Sequence, residues 1–348
     1  TVMKVKIRIG NEVKEYTGAW EDHTLLEVFQ ELGITQVHAP CGGNGTCKKC
    51  LVTVEGLGEV LSCQTQCKDG MCVTVAEEQK SAIAENGNCY LYPADAGEGL
   101  LAACDIGTTT VVCHLLDGAT GVRLCTVSAP NAQRSFGADV ISRIQASVDS
   151  GLDKLQSAIV DQINGMLVQL KQKAGRTEDI RRLAVAGNTV MSHLFCGLSP
   201  ESIGVAPFTP LSLFGESYDA KQIGIEGCET VYVVPSIAGY VGGDIVADLA
   251  AVQMHSSVLA EDGEKETLML DIGTNGEMVL GKSGSYVCCA TAAGPAFEGA
   301  KIECGMRGAA GAVDHVEYKD GKWTYTTVGN AAPVGLCGSG LIDLVAQL

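Results

Sequence analysis

Two copies of one short stretch limit what this chain can fold into more than any other feature. The first is Asp105-Ile106-Gly107-Thr108-Thr109-Thr110 and the second is Asp271-Ile272-Gly273-Thr274-Asn275-Gly276-Glu277. Each follows an apolar run, Ala102-Ala103-Cys104 or Leu268-Met269-Leu270, that reads as a buried strand. An Asp at a strand's mouth, followed by a Gly/Thr turn, places backbone N–H groups in a concavity that suits an anion. The carboxylate beside it can hold a hydrated metal. One such loop reads equally well as a strand-to-hairpin turn. Two, separated by more than a hundred residues, indicate a duplicated α/β fold with phosphate clamped between its halves.

Charge and composition narrow the partners. With 24 Lys+Arg against 41 Asp+Glu, the 348-residue chain carries a formal charge of -17, which argues against nucleic acid. No apolar run is long enough to span a bilayer and no signal peptide opens the sequence. Sixteen cysteines without a secretion signal point to a reducing, cytoplasmic setting, and a thiol content this high suits an anaerobe. Cys104, Cys113, Cys125, Cys196, Cys288 and Cys289 sit singly in apolar segments and read as small core residues.

The N-terminal segment has its own rhythm. Residues 3–9 alternate with period two, Val13–Tyr16 answers them after Gly10-Asn11, and Thr24–Leu32 is a short amphipathic helix stopped by Gly33. Then comes Pro40-Cys41-Gly42-Gly43-Asn44-Gly45-Thr46-Cys47-Lys48-Lys49-Cys50, with Cys63 in Leu61-Ser62-Cys63-Gln64 beyond it. An iron–sulfur cluster needs four converging thiolates, and a glycine-rich loop lets the backbone wrap closely and donate N–H bonds to the sulfurs. Cys41, Cys47, Cys50 and Cys63 meet that need in the order of 2Fe–2S ferredoxins. A structural zinc site is the competing reading, since C-x2-C also suits zinc. Cys67 and Cys72 compete with Cys63 for the fourth place, and His38 reads as a packing residue. Residues 77–99 read as a linker.

From Leu100 the pattern turns to strand–loop–strand–helix. Asp139 opens a helix with Val140, Ile141 and Ile144 facing inward, and Leu152–Lys173 forms a longer one. Arg182–Ala186 is a strand that delivers Gly187-Asn188-Thr189 to a helix start, where Asn188 caps the helix or reaches a phosphate. Gly242-Gly243-Asp244 opens another helix. There Asp244 either complements the helix dipole or supplies a second carboxylate to the metal or its water. Ala292–Gly299 is a further glycine-flanked turn. Gly338-Ser339-Gly340 precedes a last helix over Leu341–Leu348, which stops in mid-pattern.

Taken together, the cysteine loop and the paired phosphate loops resemble one known family. The chain looks like the reductive activators of corrinoid-dependent enzymes, in which a 2Fe–2S ferredoxin domain is fused to an actin-like ATPase. The resemblance rests on Cys41–Cys50, Asp105–Thr110, Phe136–Ile144, Gly187–Thr189, Gly242–Asp244, Asp271–Glu277, Gly294–Gly299 and Cys337–Gly340. It implies an α/β protein of three parts. Residues 1–76 form an α+β, β-grasp ferredoxin-like domain, and 77–99 form a linker. Residues 100–348 form an actin-like, ribonuclease-H-like duplicated ATPase domain, its second half incomplete and truncated before the adenosine-binding segment. The extra middle domain that some members carry between ferredoxin and ATPase is missing.

The resemblance also implies roles. Cys41, Cys47, Cys50 and Cys63 hold the cluster. Asp105 and Asp271 orient Mg2+ and its waters, while Gly107, Thr108, Thr109, Gly273, Thr274, Asn275, Gly338, Ser339 and Gly340 bind ATP. Glu277 or Asp244 positions the attacking water. The implied partners are a cobalt(II) corrinoid protein of a methyltransferase system and a low-potential electron donor, with no nucleic acid or membrane, and with a homodimer left open. Two rival classes remain: an ATP- or redox-sensing interaction protein that reduces nothing itself, and a small-molecule kinase with a fused ferredoxin. The 2-hydroxyacyl-CoA dehydratase activators share the ATPase logic but carry a bridging 4Fe–4S cluster and no ferredoxin domain, so the Cys41 loop argues against them.

Overall fold

The computed structural model describes residues 2–10, 12–34, 36–37, 39, 43, 45, 50–75, 97–255, 266–273, 275–282, 285–292, 302–306 and 308–348. The chain divides into two packing units, one reaching Val233 and the other starting at Val234.

Period-two alternation at the N-terminus becomes a hairpin of β1 (Met3–Ile9) and β2 (Glu12–Gly18). Helix α1 (Leu25–Glu31) starts at Thr24, whose hydroxyl accepts from the Glu27 N–H while the Glu27 carboxylate accepts from the Thr24 N–H. Strands β3 (Leu51–Val54), β4 (Gly58–Leu61) and β5 (Met71–Val75) complete a sheet of order β2-β1-β5-β3-β4, with β1 and β5 parallel. Val5 and Ile7 of the sheet pack on Leu25, Val28 and Phe29 of the helix, with Trp20 closing the core. This is the β-grasp arrangement, and its sheet leaves the cysteine turn at one end.

The next sheet is the ribonuclease-H-like half. β6 (Leu100–Ile106), β7 (Thr110–Asp117) and β8 (Arg123–Pro130) form an antiparallel meander. Helix α2 (Val140–Ala146) and the 23-residue α3 (Leu152–Ala174) precede β9 (Ile180–Gly187), which pairs parallel to β6. Helix α4 (Thr189–Cys196), the short β10 (Ser217–Asp219), α5 (Ala220–Ile223) and β11 (Cys228–Val233) follow, giving the order β10-β11-β9-β6-β7-β8. Leu155, Ile159, Ile163, Met166 and Leu170 recur at helical spacing along α3 and are buried, so that face is the lid of the core. Gly175, at φ 65, ends the helix in the left-handed conformation. Ile141 differs from expectation: it is 56% exposed, and Arg143 takes the inward position beside Ile144.

In the second unit, α6 (Gly243–His255) precedes an antiparallel sheet of β12 (Thr267–Ile272), β13 (Gly276–Lys282) and β14 (Ser285–Thr291). A smaller sheet, β16 (Lys322–Thr327), β15 (Ala312–Lys319), β17 (Gly335–Leu336), carries α7 (Gly338–Gln347). Val241, Ile245 and Val279 form the buried nucleus of the first sheet, with Leu249 and Met269 against it. Strand β12 departs from its expected burial on both faces. Leu268, Leu270 and Ile272 are about half exposed, at 56%, 51% and 51%, while Met269 turns to the core and Asp271 is half-buried. Pleat parity is the cause, because alternate residues of a strand must face opposite sides. The parity that exposes the leucines is the one that half-buries the carboxylate.

The linker expected over 77–99 lies outside the described residues as far as residue 96, and so do Cys41, Cys47, His38, Thr274 and 294–299. Among the described residues no helix is long and apolar enough to cross a membrane.

Candidate functional site: a thiol pair and two phosphate loops

Antiparallel pairing of Leu51 with Leu61 brings the residue before β3 next to the turn after β4. Those neighbours are Cys50 and Cys63, both buried, with sulfurs 3.3 Å apart. A disulfide would require about 2.05 Å, so these are two thiols side by side. Burial pushes the Cys63 thiol up, and the adjacent Cys50 thiol adds to it. The Gln64 side chain and the Gly45 N–H pull the other way by donating to the sulfur. Gln64 also ties the turn to the cysteine loop through the Gly43 carbonyl, at 2.7 Å. Cys67, by contrast, packs in the apolar core of the small domain.

Beside the pair, Ser62 is fully buried, and among the described residues its hydroxyl has no hydrogen-bond partner. A buried donor with no acceptor is destabilising by about 1–3 kcal/mol. The sulfurs of a cluster held by Cys50 and Cys63 would supply the acceptor. Paired thiols, amide donors aimed at one sulfur and an orphan hydroxyl together fit an iron–sulfur centre. Ser62→Ala is therefore expected to lower the midpoint potential, because hydrogen bonds to cluster sulfurs favour the more negative, reduced state. A redox titration followed by electron paramagnetic resonance reads the shift. Cys63 also lines a groove of about 770 Å3 together with Leu26, Phe136 and Ile141, so this end of the small domain is approachable.

The first phosphate loop sits between β6 and β7. Gly107 is required by close approach, since a Cβ there would lie 2.6 Å from the Thr110 carbonyl oxygen. Three consecutive carbonyls are held by the protein. The Asn131 side-chain amide donates to Gly107 O at 2.8 Å, the Arg143 guanidinium to Thr108 O, and the Asn131 N–H to Thr109 O at 2.9 Å. Asn188 caps α4, accepting from the Met191 N–H at 3.0 Å, and its amide donates to the Thr108 hydroxyl of the first loop at 3.0 Å. Asp105 stands exposed at the end of β6.

The second loop gathers acidic groups. Asp271 on β12 and Glu277 on β13 are direct cross-strand partners. Asp244 and Asp248 come from successive turns of α6. Burial is the main cause that pushes all four carboxyls up. Asp271 adds to the shift at Asp244, and Asp271 and Asp244 add to the shifts at Asp248 (to about 6) and Glu277 (to about 7). Asp244 also accepts from the Ile245 N–H at 2.9 Å in the first turn of α6. Gly273 uses its own N–H inside the turn, donating to the Asn275 carbonyl at 2.9 Å. Among the described residues, no three His, Cys, Asp or Glu converge closely enough to hold a metal on their own. A cation here would bind partly through water and phosphate, as Mg2+ does.

Gly338, Ser339 and Gly340 form the first turn of α7 instead of a loop ahead of it. A Cβ on Gly340 would lie 2.2 Å from the Val313 carbonyl oxygen, so this glycine lets α7 lie against β15. No side chain caps this turn. The sequence reading missed Asp248, although it lies one helical turn after Asp244. It also missed Arg143 and Asn131, a charge and an amide hidden in segments that read as helix face and loop.

A thiol-paired β-grasp domain joined to a ribonuclease-H-like half and a second phosphate-loop unit defines an iron–sulfur carrier fused to an actin-like ATPase. Comparison with known proteins matches three stretches of the chain. Residues 7–78 match the 2Fe-2S iron-sulfur cluster binding domain, 100–257 the RACo middle region, and 265–348 the C-terminal ASKHA domain of RACo. The corrinoid activation enzyme RamQ of Eubacterium limosum is 33% identical over 94% of this chain and 68% of its own length. A reductase of the Co(II) methylated amine-specific corrinoid protein from Methanosarcina barkeri is 28% identical over 64% of this chain and 41% of its own. The solved structure of a reductive activator for corrinoid, iron-sulfur protein superposes with a TM-score of 0.63 at 31% identity, covering 99% of this chain and 72% of that one. The chain belongs to the family of reductive activators of corrinoid proteins.

Proposed function

We propose that the protein is an ATP-dependent activator that passes one electron from a 2Fe–2S centre to a stalled cobalt(II) corrinoid protein, returning it to cobalt(I). The observation that carries this reading is the thiol pair of Cys50 and Cys63 in the same chain as two Asp-Ile-Gly loops. A 2Fe–2S cluster supplies a one-electron carrier, which Cys41, Cys47, Cys50 and Cys63 would hold. A low-potential donor recharges it. Cobalt(I) lies uphill of an ordinary ferredoxin potential of about −400 mV, and each 100 mV of gap costs about 2.3 kcal/mol per electron. ATP offsets that gap if the protein binds the partner differently in its two nucleotide states.

The chain's residues divide this work. Asp105 beside the first loop and Asp271 beside the second would each be a candidate to hold a hydrated Mg2+, which would neutralise phosphate charge, and the amides of the first loop would receive phosphate. Glu277 or Asp244 holds the attacking water. The test is ATP hydrolysis by the full chain with and without a cobalt(II) corrinoid protein. Stimulation by the corrinoid protein supports the coupling, and a rate indifferent to it contradicts it.

The carboxylates give the Mg2+ assignment its own test. Unfolded, such groups titrate near about 4; folded, Asp248 and Glu277 titrate at about 6 and about 7. Raised values mean that their contribution to stability is fully present below about pH 4 and is lost as the pH rises through about 7. Mg2+ binds the ionised forms and restores it. The rise in Tm on adding Mg2+ should therefore be larger at pH 8 than at pH 5.5. Equal rises would remove Mg2+ from this cluster.

A further inference from the structure

The least expected residue near the first phosphate loop is Arg143. It is completely buried, on the inner face of a helix of seven residues. Its three nitrogens are all used: Nε donates to the Gly137 carbonyl at 2.9 Å, Nη1 to the Met191 sulfur at 3.0 Å and Nη2 to the Thr108 carbonyl. Burial pushes the guanidinium down to about 9, helped by Arg134 and opposed by Asp139, so it remains charged at neutral pH. A buried cation held mostly by backbone carbonyls and a thioether is a costly arrangement for structure alone.

The geometry of the loop gives it a purpose. A peptide group is planar and trans, so its C=O and N–H point in opposite directions. The carbonyls of Gly107, Thr108 and Thr109 are drawn back by Asn131, Arg143 and Asn131 in turn. The N–H groups of those same peptides belong to Thr108, Thr109 and Thr110, and must point away from those donors. That is the row of amides that makes an anion-binding concavity. Of the three donors that hold it, only Arg143 carries charge. A cation donating to a carbonyl polarises the whole peptide and makes the N–H at its other end a stronger donor.

We propose that Arg143 is a positioning residue that sets the Thr108–Thr109 peptide and, through it, presents a buried positive charge to the nucleotide's phosphates without touching them. The inference rests on the ATP-binding reading above and names what tunes it. Arg143 acts through the Thr109 amide, so its influence scales with the phosphate charge of the ligand. It leaves recognition of the base and ribose alone. Lysine cannot replace it, because one ammonium on a flexible stem does not reach three acceptors in a fixed fork.

The test compares the full chain with Arg143→Gln and Arg143→Lys, titrated by calorimetry with Mg-ATP, Mg-ADP and adenosine. Circular dichroism and the visible spectrum of the cluster check that each variant is folded. The expected result is an affinity loss of about tenfold or more for Mg-ATP in Arg143→Gln, a smaller loss for Mg-ADP, and adenosine binding changed less than twofold. Arg143→Lys should fall between, with the same ordering. If Arg143→Gln does not fold, the ordering in Arg143→Lys decides. Equal losses for all three ligands would reduce Arg143 to a packing residue and overturn the proposal, as would unchanged Mg-ATP affinity in a folded variant. Failure of the unaltered chain to bind Mg-ATP would overturn the nucleotide reading, and this inference with it.

Discussion

Cys63→Ala should abolish the visible absorption of the cluster and all electron transfer to cobalt, while Mg-ATP binding stays within about twofold of the unaltered chain. The reasons are local. Cys63 is the partner of Cys50 at 3.3 Å, and it carries the amide contacts from Gln64 and Gly45. Its thiol is pushed up by burial, so a bound metal is what makes the thiolate favourable there. Cys67 sits in the apolar core of the small domain. The ATPase elements begin on a separate sheet, from β6 onward, so the loss should not spread to them. Iron content, absorption spectrum and ATP affinity measured on one preparation check the claim. A retained 2Fe–2S spectrum in Cys63→Ala would move the fourth ligand to Cys67 or Cys72.

Asp271→Asn should lower Mg-ATP turnover about 100-fold or more, the scale on which removal of a key electrostatic group acts in other enzymes. The cluster spectrum should not change. Asp271 is drawn into the half-buried face of β12 by pleat parity, opposite Glu277 and in the field of Asp244 and Asp248. Four carboxyls in one neighbourhood are destabilising when ionised without a cation: burial raises Asp248 and Glu277 first, and the charges of Asp271 and Asp244 add to it. The variant removes one of the two charges that raise Glu277, so Glu277 should titrate lower than about 7, with burial and Asp244 still acting on it. A turnover loss without that fall would place Asp271's role elsewhere. A fall in the Glu277 value without a turnover loss would separate the carboxylate cluster from catalysis.

Much of this was legible from residue spacing. The hairpin and helix of the N-terminal domain follow from period-two and helical patterns. The two Asp-Ile-Gly loops mark strand ends correctly, at β6 and β12. Face assignment was less legible. An apolar run such as Leu268-Met269-Leu270 does not reveal which face of a strand is covered; only the sheet's packing against α6 decides that Met269 and Asp271 turn inward. Arg143 was illegible for a related reason. A charged residue next to an apolar Ile141 suggests that the charge is outside, whereas three specific acceptors draw it in and leave Ile141 exposed. Asn131 holds Gly107 and Thr109 from 22 or more residues away in sequence, a contact made by β7–β8 pairing and invisible to local pattern. Gly338 to Gly340 reads in the sequence as preceding the last helix, whereas all three lie in the first turn of α7 and close approach to Val313 requires Gly340.

The most direct measurement of the central claim is anaerobic absorption spectroscopy of a cobalt(II) corrinoid protein mixed with the reduced full chain, with and without Mg-ATP. The account predicts that the cobalt(I) band grows only when Mg-ATP is present and that it is lost in both Cys63→Ala and Asp271→Asn. Cobalt(I) forming equally well without nucleotide, or not forming at all with an intact cluster and bound Mg-ATP, would contradict it.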